Sequence, residues 1–130
     1  VTAQWPDDIS WAALIQEAMK RSTGIRLSQT EASDLEEHVA VLMNATAIAV
    51  ERGKRYGDLW RHRGYLGNLL HMDSKHLRLM REFYENDSEI QQNQLDDAYD
   101  LINYTVFFIR NVEDGNERGN GPVQEGRTLM

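Results

Sequence analysis

Glu51-Arg-Gly-Lys-Arg-Tyr-Gly-Asp-Leu-Trp-Arg61 interrupts a chain that otherwise reads as helix from end to end. Helical spacing of apolar residues runs up to Gly53, and it resumes only after Gly64 and Gly67. Glycine is the strongest local breaker of a helix, so the stretch reads as a punctuated turn joining two long helices. Upstream, Leu35, Val39, Leu42, Met43, Thr46 and Val50 form the stripe of a second helix. Its start is marked by Ser28-Gln-Thr-Glu31, the spacing of a capping box. Before it, Trp5-Pro6-Asp7-Asp8 offers a stiff lead-in with capping carboxylates. Trp11, Leu14, Ile15, Ala18 and Met19 then mark a first helix that closes near Gly24.

Downstream, a third helix is expected from about Leu66. It carries Leu69, Met72, His76, Leu79, Met80 and Phe83 and fades in Glu85-Asn-Asp-Ser88. Gln91-Gln-Asn-Gln94 leads into a fourth, from Leu95 to about Val112. Leu95, Ala98, Ile102, Val106 and Ile109 form one of its faces, while Leu101, Tyr104, Phe107 and Phe108 cover much of the rest. A helix apolar nearly all round is buried on several sides, so this one is expected to be central or to form the seam of a dimer. No strand-type alternation and no internal repeat is present. The expected fold is all-α, a bundle of four main helices, with residues 1–113 as a single domain and residues 114–130 as a flexible C-terminal tail.

The 130 residues are enough for one core, and 41% hydrophobic with 27% charged residues is ordinary for a globular chain. A formal net charge of −7 opposes non-specific nucleic-acid binding, because phosphate contacts would form against a repulsive field. The chain has no Cys, which excludes disulfides and thiolate metal sites. No apolar run approaches membrane-spanning length, and no apolar signal core is seen near the start, so a cytoplasmic protein with no membrane partner is expected.

Asp100 is the most informative residue. An acid in the first helical turn is stabilised by the helix end alone, which accounts for Asp96 and much of Asp97. Asp100 lies beyond that turn, within an apolar wall, where a carboxylate has to be paired, hydrogen-bonded or metal-bound. Asp97 and Asp100, three apart, share a face and can present two carboxylates to one divalent ion; a structural ion pair is the alternative. Lys75 and Arg78 repeat this spacing with opposite sign, a pair that phosphate oxygens favour, although on spacing alone an ordinary solvated stripe with an Arg78–Glu82 pair is the stronger reading. The four His residues are not at zinc-binding spacing. Tyr56, Trp60 and Tyr65 crowd the central turn, where they either stack on a base or plug the end of a bundle, and Asp58 is available to a metal shell.

Tyr56-Gly-Asp-Leu-Trp-Arg61, Lys75-xx-Arg78 and Asp97-xx-Asp-Leu-Ile-Asn-Tyr104, in that order, resemble the phage-associated nucleotide modification domain, itself related to the MazG-like all-α NTP pyrophosphatases. The resemblance covers about Glu51 to Ile109. It implies Mg2+ as cofactor and a nucleotide as ligand, with hydrolysis of a (d)NTP to (d)NMP and pyrophosphate. Asp100, Lys75 and Arg78 would be catalytic, and Tyr56, Asp58, Trp60 and Tyr104 would contact the nucleotide. Metal ligands would come from Glu36, Glu37, Glu51, Asp97 and Asp100, and a homo-oligomer, by default a dimer, is expected. The chain departs from the pattern at Arg52-Gly53, where the family has Lys-Asn, at Arg55, and at Ala40, which takes the third acidic place of the pyrophosphatases' Glu-Glu-xx-Glu motif. Glu51 or Asp58 is the candidate to complete the shell. The alternative is a non-catalytic nucleotide-binding or protein-partner-binding module on the same fold; an acidic protein filling another protein's basic groove is a third reading.

Overall fold

The computed structural model describes Asp8, residues 10–86 and residues 90–119. These residues are all-α: helices α1 (Trp11–Thr23), α2 (Gln29–Tyr56), α3 (Leu59–Glu85) and α4 (Gln92–Glu113), with no strand among them. The chain divides inside α2 into two compact units, residues 1–47 and residues 48–130.

In the first unit, α1 starts at Ser10, whose hydroxyl accepts from the Ala13 amide at 3.3 Å. Asp8 is a turn residue outside that cap, and the remainder of the expected Trp5-Pro6-Asp7 lead-in lies outside the described residues. Gly24 ends α1 with φ 77°, donating its amide to the Lys20 carbonyl. The capping box of α2 forms as its spacing predicts: the Glu31 amide donates to Ser28 Oγ at 3.1 Å, and the Ser28 amide donates to Glu31 Oε1 at 2.9 Å. Those bonds from Ser28, the backbone one first, hold the Glu31 carboxyl below its ordinary range. Gln16 Nε2 reaches the Leu27 carbonyl at 3.1 Å and ties α1 to the loop before α2.

The expected turn is much shorter than its glycines predict. Gly53 remains helical, and α2 continues to Tyr56 before Gly57, at φ 61°, ends it. A glycine inside a helix costs only about 1 kcal/mol relative to Ala, which the flanking turns offset. The third helix starts at Leu59 rather than Leu66, and it is broken at Gly64 (φ 66°, ψ 176°), a conformation essentially reserved for glycine. The breaker signal of Gly64 was real, but it marks a kink within α3 rather than the helix start.

The second unit is organised by α3 lying against α4. The expectation that α4 is buried through its apolar faces is corrected. The residues it buries are Gln94, Asp97, Asp100, Asn103 and Asn111, with Asn68 of α3. Leu95, Val106, Ile109 and Val112 are exposed, and the fully buried apolar residues among those described are the alanines Ala12, Ala32 and Ala45. Asp97, Asp100 and Asn111 fall within about 60° of one another around α4 and form its polar face, and α3 offers Lys75 and Asn68 to pair with them. Phe107 and Phe108 are half-buried on aromatics of α3: Phe107 stacks on Trp60 (centroids 4.8 Å, 10°) and Phe108 meets Tyr65 edge-on at 6.0 Å.

Residues 114–119, expected to be loose, form a splint across the α3 kink. The break at Gly64 turns the next two amides towards them: Tyr65 N–H donates to the Asn116 carbonyl at 2.9 Å, and Leu66 N–H to the Glu117 carbonyl at 3.1 Å. The Arg61 carbonyl, which an unbroken helix would pair with Tyr65, accepts from Asn116 Nδ2 at 2.7 Å. Buried backbone groups are rarely left unpaired, so the kink and the splint require one another. Residues 120–130 of the expected tail lie outside the described residues.

Candidate functional site

A charge cluster occupies the α3–α4 seam. Asp97 and Asp100 sit on successive turns of α4 with side chains 5% and 8% exposed. Lys75 of α3 reaches both, its Nζ 3.0 Å from Asp100 Oδ2 and 3.3 Å from Asp97 Oδ1. Arg52, near the end of α2, hydrogen-bonds Asp100 Oδ1 through a terminal guanidinium nitrogen. Arg78 Nε lies 3.1 Å from Asp97 Oδ2, but its hydrogen bond goes to Glu82 Oε1, also at 3.1 Å. Asp97 Oδ2 is therefore buried beside a positive charge without a hydrogen bond, and Glu82 Oε2 is likewise buried and unbonded. Three cations thus face three carboxylates. Burial acts to lower the Lys75 ammonium, and the hydrogen bonds and charges of Asp100, then Asp97, outweigh it and hold Lys75 above its ordinary range. The bond to Glu82, then the charge of Asp97, raises Arg78.

An apolar groove of about 340 Å³ adjoins this cluster, lined by Leu79, Met80, Phe83, Tyr84, Leu95 and Ala98 among others. Leu79 follows Arg78 in α3 and Ala98 follows Asp97 in α4, so the groove continues the seam directly beyond the charges. Towards the other end, His71 stacks on Tyr104 (4.9 Å, 15°). Burial first, then the charges of Arg63 and Lys75, depresses the His71 pKa. Beyond it lies an asparagine triad. Asn111 Nδ2 donates to Asn68 Oδ1 at 2.6 Å and to the Trp60 carbonyl at 3.1 Å, while Asn116 Nδ2 donates to Asn111 Oδ1 at 3.0 Å.

Of the residues expected in the site, Asp97, Asp100, Lys75 and Arg78 come together. Trp60 and Tyr104 do not present a stacking face to a base: Trp60 is covered by Phe107 and by the guanidinium groups of Arg61 and Arg110, 4.6 and 4.4 Å from its ring, and Tyr104 is held by His71 and Phe107. Tyr56 is exposed at the end of α2, and Asp58, ahead of α3, lies 3.9 Å from Arg61. Glu51 pairs with Lys54 at 3.8 Å on the surface. Glu36 and Glu37 belong to the other unit, on α2. Among the described residues no three His, Asp or Glu side chains converge as a metal group. Arg52 was noticed only as a departure from a motif, and the asparagines not at all. Of these only Asn111 carried a signal, its place on the same face of α4 as Asp100.

Comparison with protein-family models, with curated proteins and with solved structures finds no match to this chain.

Proposed function

We propose that the protein binds a nucleoside polyphosphate in the α3–α4 seam, with the phosphates at the charge cluster and the base in the adjoining apolar groove, and that it hydrolyses the bond between the α and β phosphates. The observation that carries this reading is the composition of the cluster: Arg52, Lys75 and Arg78 interleaved with Asp97 and Asp100, all turned into one seam. Without ligand, these groups neutralise one another. A magnesium polyphosphate offers each of them a better partner, cations for the carboxylates and anionic oxygens for the ammonium and guanidinium groups.

The residues fit Mg2+ in the company of its phosphates. Mg2+ is commonly held by one or two carboxylates with substrate oxygens and waters completing the shell, and Asp97 Oδ2 is a buried carboxylate oxygen with no hydrogen bond. Asp97 and Asp100 would hold it, and when bound it would supply charge neutralisation and a more acidic water. Lys75 and Arg78, released from the carboxylates, bind non-bridging phosphate oxygens. Arg52 remains close to Asp100 and limits repulsion along the chain of phosphates. Water adds to the α phosphorus, the bond to the bridging oxygen breaks, pyrophosphate leaves, and the proton passes to solvent. Leu79, Phe83 and Ala98 exclude water from the base.

A second reading is supported by the arrangement of the third carboxylate: Glu82 is tied to Arg78 rather than grouped with Asp97 and Asp100, and among the described residues no three His, Asp or Glu side chains are placed to hold one metal. On that reading, the protein binds the nucleotide without turnover. A panel of NTPs and dNTPs, assayed with Mg2+ for pyrophosphate release, separates the two. Release that is lost in Asp100→Asn with helicity intact supports hydrolysis. Binding without release, weakened in Arg78→Lys because the planar fork is lost, supports the module. No binding of any nucleotide at millimolar concentration defeats both.

A further inference from the structure

The groove that adjoins the charge cluster is apolar almost throughout, and Gln94 is the exception. Of the described residues that line it, only Gln94 and Tyr84 carry a nitrogen or oxygen on the side chain. Tyr84 is 72% exposed and belongs to the rim, whereas Gln94 is 2% exposed. The orientation of the Gln94 amide is fixed by α4 itself. In the capping box that opens this helix, Gln94 Oε1 accepts from the Gln91 backbone amide at 2.6 Å. A backbone N–H can only donate, so the oxygen has to face it, and Nε2, also a pure donor, is the end left for a ligand. Turning the amide over would set two donors against each other and lose the bond that closes the box.

The place of Gln94 along the helix suits the far edge of a base. It lies three residues before Asp97 and six before Asp100, about 4.5 and 9 Å of helix rise. A nucleotide with its phosphates at those carboxylates and its ring against Leu79 and Phe83 turns the edge remote from the sugar towards Gln94. We propose that Gln94 is the residue that reads the base, donating from Nε2 to an exocyclic carbonyl, so that uracil and thymine nucleotides are taken in preference to cytosine nucleotides; this rests on the nucleotide reading above. Uracil and thymine carry an acceptor, O4, at that edge, where cytosine carries the N4 amino donor. Two donors facing each other among apolar side chains leave both unsatisfied, and the apolar walls offer neither of them another partner. The O2 carbonyl that the pyrimidines share lies beside the sugar, away from Gln94, and does not distinguish them.

The test is calorimetric titration of the full chain, with Mg2+, against the α,β-methylene analogues of UTP and CTP, which cannot be split between those phosphates. The UTP analogue is expected to bind about tenfold tighter or more. Gln94→Glu keeps an acceptor for the Gln91 amide and puts a second acceptor where Nε2 stood. It is expected to weaken both analogues, because it adds a negative charge near the phosphates, and to invert their order, an effect that a merely structural role for Gln94 does not produce. If that variant fails to fold by circular dichroism, Gln94→Met, similar in length and without a donor, is expected to bring the two affinities within about twofold of each other. Equal binding of the analogues by the unaltered chain, or a preference that survives in Gln94→Met, overturns this inference and leaves the nucleotide reading standing. Binding of neither analogue at millimolar concentration overturns both.

Discussion

Asn111→Ala is expected to be one of the most destabilising single changes in the second unit. Asn111 is fully buried and makes three hydrogen bonds, donating to Asn68 Oδ1 and the Trp60 carbonyl and accepting from Asn116 Nδ2. Each such bond contributes about 1 kcal/mol net, and a buried partner left unsatisfied costs about 1–3 kcal/mol. Asn116 keeps its bond to the Arg61 carbonyl, so the unsatisfied groups are chiefly Asn68 Oδ1 and the Trp60 carbonyl. A loss of about 3–4 kcal/mol follows, a large fraction of the 5–15 kcal/mol typical of a domain. In a chain of this size it corresponds to a fall in Tm of roughly 10–20 °C. Asn111→Asp is expected to be at least as harmful, because it replaces a donor with an acceptor only 2.6 Å from Asn68 Oδ1. Urea unfolding followed by circular dichroism measures the loss, and a double-mutant cycle with Asn68→Ala isolates their coupling, expected at about 1 kcal/mol or more. A loss below about 1 kcal/mol for Asn111→Ala, with an unchanged m-value, would refute the view that the triad holds the kink.

Two further outcomes follow from the same geometry. A Cβ on Gly119, which has φ 81°, would overlap the His62 carbonyl, so Gly119→Ala is expected to detach the splint and speed amide exchange at Tyr65 and Leu66, both measurable by NMR; unchanged exchange there would contradict the splint. His71 has a pKa below its ordinary 6.5, so the unfolded chain binds the extra proton first. Its contribution is fully present above pH 6.5 and is lost as pH falls through the folded value, and His71→Phe is expected to flatten the fall in Tm between pH 7 and 5.

The element count and class were legible because helical periodicity and capping are local. Ser28 and Glu31 lie three residues apart, and their reciprocal bonds need nothing beyond the first turn of α2. Gly24 and Gly57 end helices through their own backbone angles, again a property of one residue. The site was half legible: three-residue spacing placed Asp97 with Asp100 on one face and Lys75 with Arg78 on another. It could not say that the two faces meet, nor that Arg52, some 48 positions away, completes the cluster. The inside of α4 was decided only by tertiary structure. It carries an apolar and a polar face, and which one turns inward depends on what the facing helix offers. Because α3 supplies Asn68 and Lys75, Asn111, Asp97 and Asp100 gain partners on burial, although Asp97 Oδ2, Glu82 Oε2 and Asn68 Nδ2 stay without a hydrogen bond, and the hydrophobic effect alone did not choose the face. The same reason hid the splint: Gly64 announces a break from its own lack of a side chain, whereas the carbonyls that mend that break come from Asn116 and Glu117, brought back across the kink by the fold.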